Sequence, residues 1–318
     1  MQYTTLGRTG LKVSVPGLGA GGGSRLGLAR GKSHADAVAL VRQAIDLGIN
    51  VVDTARGYGT EDVVGDALQD GLRASVVLST KHQISESGVN GRNFTADDVV
   101  SGLNESLRRL RTDHVDIFYL HAVTTARLDY ALNEIIPAVL REKEKGKFRF
   151  LGVTEAPSME IHHQGLVQAL KLDLFDVVMV AFQMFQQNAR ETVFPRALEQ
   201  GVGTMLMYAV RGIFANPGHL RRVVRQLADE GQLPKDLAMT DGPLDFLVHP
   251  GGATSVMDAA YRFACHEPGA DVVLFGTGDA AHLRANVASI LAPPLPEDDV
   301  AAIRKLFSHL AGVGLDLQ

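Results

Sequence analysis

Short apolar segments rich in β-branched residues recur along this chain, and an amphipathic helical pattern follows each of them. Strands with so little alternation of polar and apolar residues are typical of a parallel sheet that is covered on both faces. The eight segments are residues 16–19, 49–52, 76–79, 115–120, 150–153, 177–182, 204–208 and 272–275. Eight such units in 318 residues predict an α/β fold, a closed (β/α)8 TIM barrel, with an open doubly wound sheet as the alternative.

Three further stretches lie outside this repeat. Alternating residues on both sides of the Gly-Arg-Thr-Gly sequence at 7–10 predict an N-terminal β-hairpin. Residues 212–271, which hold two helical patterns, separate the seventh and eighth strands, whereas connections of ~2–6 residues are usual. An additional C-terminal helix is expected to begin at Glu297, after a proline-rich turn. No linker-like composition interrupts the chain, so we expect one barrel domain over residues 1–318 with an insertion at about 212–271.

The composition argues against several classes of function. The formal net charge is −5 and the isoelectric point is about 6.1, which disfavours a nucleic-acid or anionic-membrane partner. The single cysteine, Cys265, leaves no disulfide framework and fits a reducing compartment. We see neither a secretory signal pattern nor an apolar run of the ~18 residues that a membrane span needs. We therefore expect a soluble, cytoplasmic protein, and we predict no metal site.

Ionisable side chains end three consecutive predicted strands. Asp53 follows the second strand, Lys81 the third and His121 the fourth. In a (β/α)8 barrel the carboxyl ends of all strands meet at one rim, which is where catalytic groups lie. Each residue alone is more often structural, as a helix cap or an ion-paired group, but three in succession at one rim predict a functional site. The later strands also end in polar residues or glycine: Thr154, Glu155, Gln183, Tyr208 and Gly276.

A tyrosine, Tyr58, lies five residues after Asp53, between two glycines. A carboxylate beside Lys81 would hold the ammonium in place, and that ammonium beside a phenol would lower the pKa of Tyr58 toward the working pH. A phenol tuned in this way can deliver a proton to a carbonyl oxygen as a general acid. His121 can hydrogen-bond the same oxygen. These side chains supply no hydride, which a nicotinamide would provide.

Two glycine-rich turns are candidate phosphate-binding loops. Residues 17–22, Gly-Leu-Gly-Ala-Gly-Gly, match G-x-G-x-x-G, but a dinucleotide-binding turn needs a helix directly after it, and residues 23–33 are loop-like. We interpret them as a flexible glycine loop at the barrel rim. Residues 275–279, Phe-Gly-Thr-Gly-Asp, precede a helix expected from about Ala280. Backbone N–H groups at such a helix start bind phosphate, and barrels commonly hold one after strands seven and eight.

The motifs so far make the sequence similar to the aldo-keto reductase superfamily over nearly its whole length. Residues 6–14 resemble the opening hairpin of that family, and residues 48–55 with Tyr58-Gly59 resemble its first active-site motif. Residues 79–81 resemble its lysine strand, and residues 106–121 resemble its histidine motif. The resemblance implies a (β/α)8 barrel, in agreement with the strand count. It also implies a catalytic tetrad with Tyr58 as the proton donor, completed by Asp53, Lys81 and His121.

The same resemblance implies a nicotinamide nucleotide, with NADP(H) favoured and NAD(H) possible. The family has Gly-Val-Ser-Asn after its fifth strand, in contact with the nicotinamide amide, where this chain has Thr154 and Glu155. A glutamine of the sixth strand is replaced by Met179, and Gln183 is the candidate substitute. Tyr208 matches the aromatic residue that stacks on the nicotinamide.

The strand-eight motif is expected to hold the phosphates. Asp279 stands where the family often has a basic residue near the 2′-phosphate, and His282 occupies another phosphate-facing position. All candidate cofactor contacts together are Gly19, Ala20, Gly21, Asp53, Thr154, Glu155, Gln183, Tyr208, Gly276, Thr277, Gly278, His282 and Asn286.

These features favour an NAD(P)-dependent enzyme that reduces an aldehyde or ketone to an alcohol, or catalyses the reverse reaction. Its partner would be a small carbonyl or alcohol substrate. One alternative is a Schiff-base lyase with Lys81 as nucleophile, although a paired carboxylate keeps that lysine charged. The other is a regulatory module that binds a nicotinamide nucleotide with little turnover. The sequence does not identify the substrate, the direction of the reaction or the oligomeric state.

Overall fold

The computed structural model describes residues 1–86 and 91–315. Eight strands form a closed barrel in which all neighbours are parallel and follow one another in chain order. The hairpin strands β1 and β2 are Tyr3–Thr5 and Lys12–Ser14, and the barrel strands β3 to β10 are Pro16–Gly19, Val51–Asp53, Val77–Gln83, Val115–His121, Phe148–Thr154, Val177–Ala181, Gly203–Met207 and Val272–Phe275. The predicted (β/α)8 barrel is confirmed, and the open doubly wound alternative is wrong.

Alternate residues of the barrel strands form an interior apolar cluster that is separate from the outer core. Val51 and Val77 belong to this cluster. Because side chains alternate between the two faces of a strand, Asp53 lies on the same face as Val51, and Lys81 on the same face as Val77. The strands therefore carry apolar side chains deep in the barrel and ionisable ones at their carboxyl ends.

The N-terminal hairpin covers the amino-terminal end of the barrel. Strands β1 and β2 are antiparallel, and Leu6 between them is fully buried in the interior cluster. Gly7 has a φ of +45°, and a Cβ atom there would lie 2.3 Å from the backbone nitrogen of Gly203. Glycine is thus required where the hairpin meets β9. The predicted hairpin is confirmed, and it leaves the carboxyl rim as the open end of the barrel.

The helices surround the barrel. The α-helices α1 to α14 among the described residues are His34–Asp46, Glu61–Ala67, Ala96–Leu110, Thr125–Tyr130, Ile136–Glu144, Gln164–Ala169, Ala189–Thr192, Phe194–Gln200, Gly212–Ala215, Pro217–Asp229, Lys235–Met239, Val256–Cys265, Ala280–Ile290 and Glu297–Phe307. A π-helical turn, Ala131–Ile135, joins α4 to α5, and short 3-10 turns are Gly7–Thr9, Arg25–Arg30, Arg56–Tyr58, Leu72–Ser75, Leu170–Leu172 and Asp245–Leu247.

Sequence patterns that cap a helix occur where two of these helices begin. Ser33 and Asp36 form a capping box at the start of α1, and Thr95 and Asp98 form another at the start of α3. Each box satisfies N–H groups that the first helical turn leaves free. The expected C-terminal helix from Glu297 is present as α14. None of the helices within residues 1–86 and 91–315 is both long enough and apolar enough to span a lipid bilayer.

Candidate active site

Asp53 and Lys81 form a buried ion pair at the carboxyl rim. The Lys81 Nζ atom lies 2.5 Å from Asp53 Oδ2 and 2.8 Å from the carbonyl oxygen of Thr54. Ser79 donates a hydrogen bond of 2.5 Å to the other Asp53 oxygen. Asp53 and Ser79 are register partners in neighbouring strands, so the barrel itself sets this geometry. With 1% of Lys81 exposed, the ammonium is fixed and shielded from water.

Tyr58 and His121 complete the cluster. Tyr58 ends the 3-10 turn after β4, and its ring centroid lies 5.0 Å from Lys81 Nζ. The ring of His121 packs edge-on against it, with centroids 5.9 Å apart and an interplanar angle of 86°. Gly21 makes room for the phenol, since a Cβ atom there would be 2.5 Å from Tyr58 Cε2. The structure thus brings together all four residues of the predicted tetrad and places the glycine loop beside them.

The protonation of these groups follows from their burial. Burial opposes the charged form of Lys81, but Asp53 and Tyr58 outweigh it and raise the pKa of Lys81. Burial lowers the pKa of His121 to about 3, helped by the positive charge of Lys81. At neutral pH the site therefore contains an ammonium and an uncharged imidazole.

The expectation that the pKa of Tyr58 falls toward neutral pH is wrong for this structure. Burial raises the pKa of Tyr58, the charge of Lys81 lowers it, and the net result lies above the ordinary value. A low-dielectric site disfavours the phenolate more than one neighbouring ammonium, itself paired with Asp53, can offset. Tyr58 is accordingly a protonated phenol through the physiological range, which suits a proton donor.

Thr154 ties the end of β7 to the turn after His121. Its hydroxyl oxygen accepts a hydrogen bond of 2.8 Å from Ala122 N, and its carbonyl oxygen accepts one of 2.9 Å from Val123 N. Ala122 has a φ of +57°, a left-handed conformation that costs a non-glycine residue on the order of 1–3 kcal/mol. The two hydrogen bonds that Thr154 accepts hold this turn and so orient His121. The hydroxyl proton of Thr154 is still available to an acceptor such as an amide oxygen.

Thr154→Val is expected to lower kcat about tenfold, while Thr154→Ser stays within about twofold of the wild type. Valine has the shape of threonine but cannot accept a hydrogen bond, and a buried N–H group without a partner costs ~1–3 kcal/mol. Steady-state kinetics of both variants, with thermal melting as a check on folding, measure the difference. Equal kcat values for the valine and serine variants would show that the hydroxyl does not orient His121.

Glu155 and Gln183, which were expected to touch the cofactor, form hydrogen bonds with other parts of the protein. One Glu155 oxygen lies 2.7 Å from His163 Nδ1, and the other accepts a bond of 2.6 Å from Ala181 N. Strand β8 ends at Ala181, so the alternation that placed Gln183 on the inner face does not continue to it. The amide of Gln183 instead donates to Val313 O at 2.8 Å and accepts from a neighbouring backbone N–H. At these two positions, where the chain departs from the family pattern, the polar side chains are thus occupied by contacts within the protein.

Tyr208 lies at the end of β9 beside the tetrad. It has a left-handed φ of +70°, and its charge would be felt by Tyr58. Arg211, which sequence reasoning missed, places its guanidinium carbon 3.8 Å from the Tyr208 ring centroid. Residues held in such sparsely populated conformations cluster at functional sites. An arginine three positions after an aromatic residue in a loop is too common a pattern to have identified this stacking in advance.

The strand-eight turn packs against the glycine loop. A Cβ atom on Gly276 would be 3.5 Å from the carbonyl oxygens of Gly19 and Gly21, and one on Gly278 would be 2.4 Å from Gly27 Cα. Thr277 is buried. A Cβ atom therefore fits at Gly276 but not at Gly278, and Gly21, which lies near Gly276, also contacts Tyr58.

Helix α13 begins directly after this turn, but its first N–H groups already have an acceptor. Asp279 accepts hydrogen bonds from Ala281 N at 2.8 Å and His282 N at 3.0 Å. These bonds, with the nearby charges of His282 and Lys32, lower the pKa of Asp279. Lys32 is a cation that the sequence analysis missed, since only the fold brings residues 32 and 279 together. His282 is exposed and Asn286 is half-buried on α13.

Comparison with known proteins agrees with this geometry. The sequence profile of the Aldo/keto reductase family matches residues 17–307. Aldo-keto reductase YhdN of Bacillus subtilis (strain 168) is 27% identical over 305 residues, which are 90% of this chain and 87% of that protein. L-galactose dehydrogenase of Arabidopsis thaliana is 39% identical over 163 residues, 49% of this chain and 49% of that protein. The second match therefore spans about half the length of the relative.

A solved structure shares the fold over nearly the whole chain. The aldo-keto reductase AKR11C1 from Bacillus halodurans, in its holo form, superposes with a TM-score of 0.70, covering 96% of each chain at 24% sequence identity. At that identity the likeness shows the fold alone. The profile match covers well over half of the residues, and the barrel is the one that the profile implies. The chain belongs to the Aldo/keto reductase family.

Proposed function

We propose that this protein is an NAD(P)-dependent oxidoreductase that interconverts a small aldehyde or ketone and its alcohol, with Tyr58 as general acid. The observation that carries the proposal is the buried contact of Lys81 with Asp53 on one side and the ring of Tyr58 on the other. A buried ammonium beside a phenol stabilises the negative charge that develops on the phenol oxygen as its proton leaves. Family membership supports the same reaction class.

Each residue of the tetrad has a distinct task in carbonyl reduction. His121, uncharged at neutral pH because burial lowers its pKa to about 3, can donate a hydrogen bond to the carbonyl oxygen without competing as an acid. Tyr58 then gives its proton to that oxygen. Lys81, held by Asp53, stabilises the resulting phenolate. The nicotinamide supplies the hydride when it is bound.

The chain offers groups that fit such a nucleotide. Tyr208 presents an aromatic ring near Tyr58, and the Thr154 hydroxyl has a proton to donate. Gly19, Gly21, Gly276 and Gly278 place no side chain over the backbone of the two turns, and Lys32 supplies positive charge near the start of α13. An aromatic face, small turns and a cation are the features that ring and phosphate groups require.

The substrate class and the direction are best resolved by a screen. Purified protein is mixed with aldehydes, ketones and aldoses, with each reduced and oxidised nucleotide, and the absorbance of the reduced nicotinamide is followed. The resemblance of half the chain to an L-galactose dehydrogenase makes aldose oxidation the first reaction to test. Absence of nucleotide-dependent turnover with every compound would refute the proposed enzyme and favour a nucleotide-binding regulatory role.

A Schiff-base lyase is disfavoured by the same contact. Its nucleophile must be an uncharged amine, whereas the pKa of Lys81 is raised because Asp53 and Tyr58 outweigh its burial. Borohydride treatment in the presence of a carbonyl substrate should leave the mass of the protein unchanged. Covalent trapping at Lys81 would support the lyase instead.

The nucleotide preference gives a second test of the site. Asp279→Asn is expected to raise the affinity for NADPH relative to NADH about fivefold, because the amide keeps a capping oxygen for α13 but removes a charge that repels a 2′-phosphate. Fluorescence titration of both nucleotides measures the ratio. Asp298→Asn is the matched control, since Asp298 is an exposed acid in the first turn of another helix, α14. If both variants change the ratio equally, the 2′-phosphate does not lie near Asp279.

A further inference from the structure

Glu155 and His163 form an ion pair that is buried at the carboxyl rim. Glu155 follows β7 and His163 precedes α6; the two side chains are 0% and 1% exposed, and Oε2 lies 2.7 Å from Nδ1. Removing two charged groups from water is costly unless they are well paired. Neither group belongs to the tetrad, so proton transfer does not account for the pair.

Every polar atom of the pair has a partner. The second Glu155 oxygen accepts from Ala181 N, and His163 Nε2 lies 2.6 Å from Asn188 Oδ1. The Asn188 amide nitrogen donates to Ile161 O at 2.8 Å, which fixes its oxygen toward the imidazole. Each ring nitrogen of His163 therefore has an oxygen atom within hydrogen-bond distance, an arrangement that suits an imidazolium. The Gln186 amide nitrogen lies further from Nε2, at 3.5 Å. Burial lowers the pKa of His163, but Glu155 outweighs this effect and raises it.

Hydrogen bonds lead from this pair to the C-terminal tail, residues 312–315. Gln186 donates to Asn188 Oδ1 at 2.8 Å and accepts from Gly312 N at 2.6 Å. Gln183, in the same loop after β8, donates to the carbonyl oxygen of residue 313 at 2.8 Å. The loop and the tail are thus joined at two points, one of which is bonded to the partner of His163.

The tail in turn contacts the arginine that lies on Tyr208. Arg211 donates a hydrogen bond of 3.1 Å to the carbonyl oxygen of Leu315, and Leu315 is buried. The same guanidinium stacks 3.8 Å above the Tyr208 ring. A chain of contacts therefore runs from the tail through Arg211 to Tyr208, whose backbone has a left-handed φ of +70°.

We propose that the Glu155–His163 pair is a positioning element for Tyr208, acting through the loop 183–188 and the tail 312–315, and that it thereby sets the affinity for the nicotinamide nucleotide. The inference rests on the proposed function, in which Tyr208 faces the nicotinamide. It assigns Glu155 a role through other residues, in place of the direct cofactor contact that the sequence suggested.

The proposal predicts how the affinity for the nucleotide changes with pH. The raised folded-state pKa of His163 means that the pair is complete at lower pH and is lost as pH rises through that value. Glu155 is the charged group in contact with the imidazole. Two further titratable residues are close in the chain: the carboxylate of Glu160 accepts from Thr125 N and Gly165 N, and His162 contacts Asn188. Nucleotide affinity should therefore weaken as the pH rises through the raised pKa of His163.

Glu155→Gln tests the idea, because glutamine keeps an acceptor for Ala181 N but removes the charge. We expect the KM for the nucleotide to rise about tenfold, a usual size for coupling between sites, with kcat within about threefold, and its pH dependence to flatten. Amide hydrogen exchange in the tail 312–315 should accelerate, a readout that requires no turnover. Glu155→Gln/His163→Gln, which leaves no unpaired charge, should behave like the single variant.

Asp116→Asn is the matched control at the opposite end of the barrel. Asp116 is also a buried carboxylate that accepts from a strand N–H, Leu78 N, and pairs with a cation, Arg73. The Asp116→Asn variant should lose stability without a change in the KM for the nucleotide or in the amide hydrogen exchange of the tail 312–315. If Glu155→Gln lowers the melting temperature as the control does and moves neither KM nor tail exchange, the pair is merely structural. Wild-type protein that binds no nucleotide would instead refute the proposed function and, with it, this role.

Discussion

Tyr58→Phe is expected to lower the rate of carbonyl reduction by at least about 100-fold, the usual size of a general-acid contribution. Phenylalanine keeps the ring that packs against Gly21 and His121 but has no proton to give to the carbonyl oxygen. The surroundings of the phenol raise its pKa, so Tyr58 keeps its proton until the carbonyl oxygen takes it. Single-turnover kinetics with saturating nucleotide isolate this step, and nucleotide affinity should be unchanged.

Tyr119→Phe is the control for that experiment. Tyr119 lies inside the barrel next to Lys81, and its ring centroid is 5.8 Å from Lys81 Nζ. Its hydroxyl is buried and has no hydrogen-bond partner among the residues that the structure describes. Removing this hydroxyl should leave the rate within about threefold, since no bond is lost. Comparable losses in the two variants would mean that a phenol near Lys81 matters for packing and that Tyr58 is not the acid.

Lys81→Met is expected to produce the second large effect, a loss of about 100-fold or more in turnover in both directions. Alcohol oxidation needs the phenolate of Tyr58 as base. Burial raises the pKa of Tyr58 and Lys81 lowers it, so without the ammonium that pKa rises further. The rising limb of the pH–rate profile for oxidation should then move to higher pH. The profile, measured with the alcohol and oxidised nucleotide, checks the shift.

Loss of Lys81 alone leaves the Asp53 carboxylate buried and unpaired, which costs on the order of 3–5 kcal/mol of stability. The variant Asp53→Asn/Lys81→Met removes both charges and avoids this penalty. It should fold with a melting temperature closer to the wild type yet show the same kinetic loss. An unchanged pH–rate profile in this folded variant would show that Lys81 is not coupled to the proton-transfer step.

The sequence by itself predicted the barrel and which ionisable side chains would meet at its rim. Eight apolar segments without alternation demand strands covered on both faces, and eight βα units close on themselves. Once the strands are parallel, their carboxyl ends share a rim, so residues 53, 81 and 121 must lie together although they are far apart in the chain. Local signals such as the capping box of Ser33 and Asp36 were equally readable, because they depend on neighbours three residues away.

Only the tertiary structure decided the pKa values and the side-chain partners, because these depend on contacts between distant segments and on exposure to water. The pKa of Tyr58 is raised because the surrounding elements partly remove the phenol from water, an effect that no motif encodes. Glu155 and Gln183 bind residues 163 and 313, partners that sequence spacing cannot identify. Lys32 and Arg211 reach the site from loops whose paths are fixed only when the barrel is complete. Periodicity determines which face of an element is buried, whereas side-chain partners follow from how the assembled elements meet.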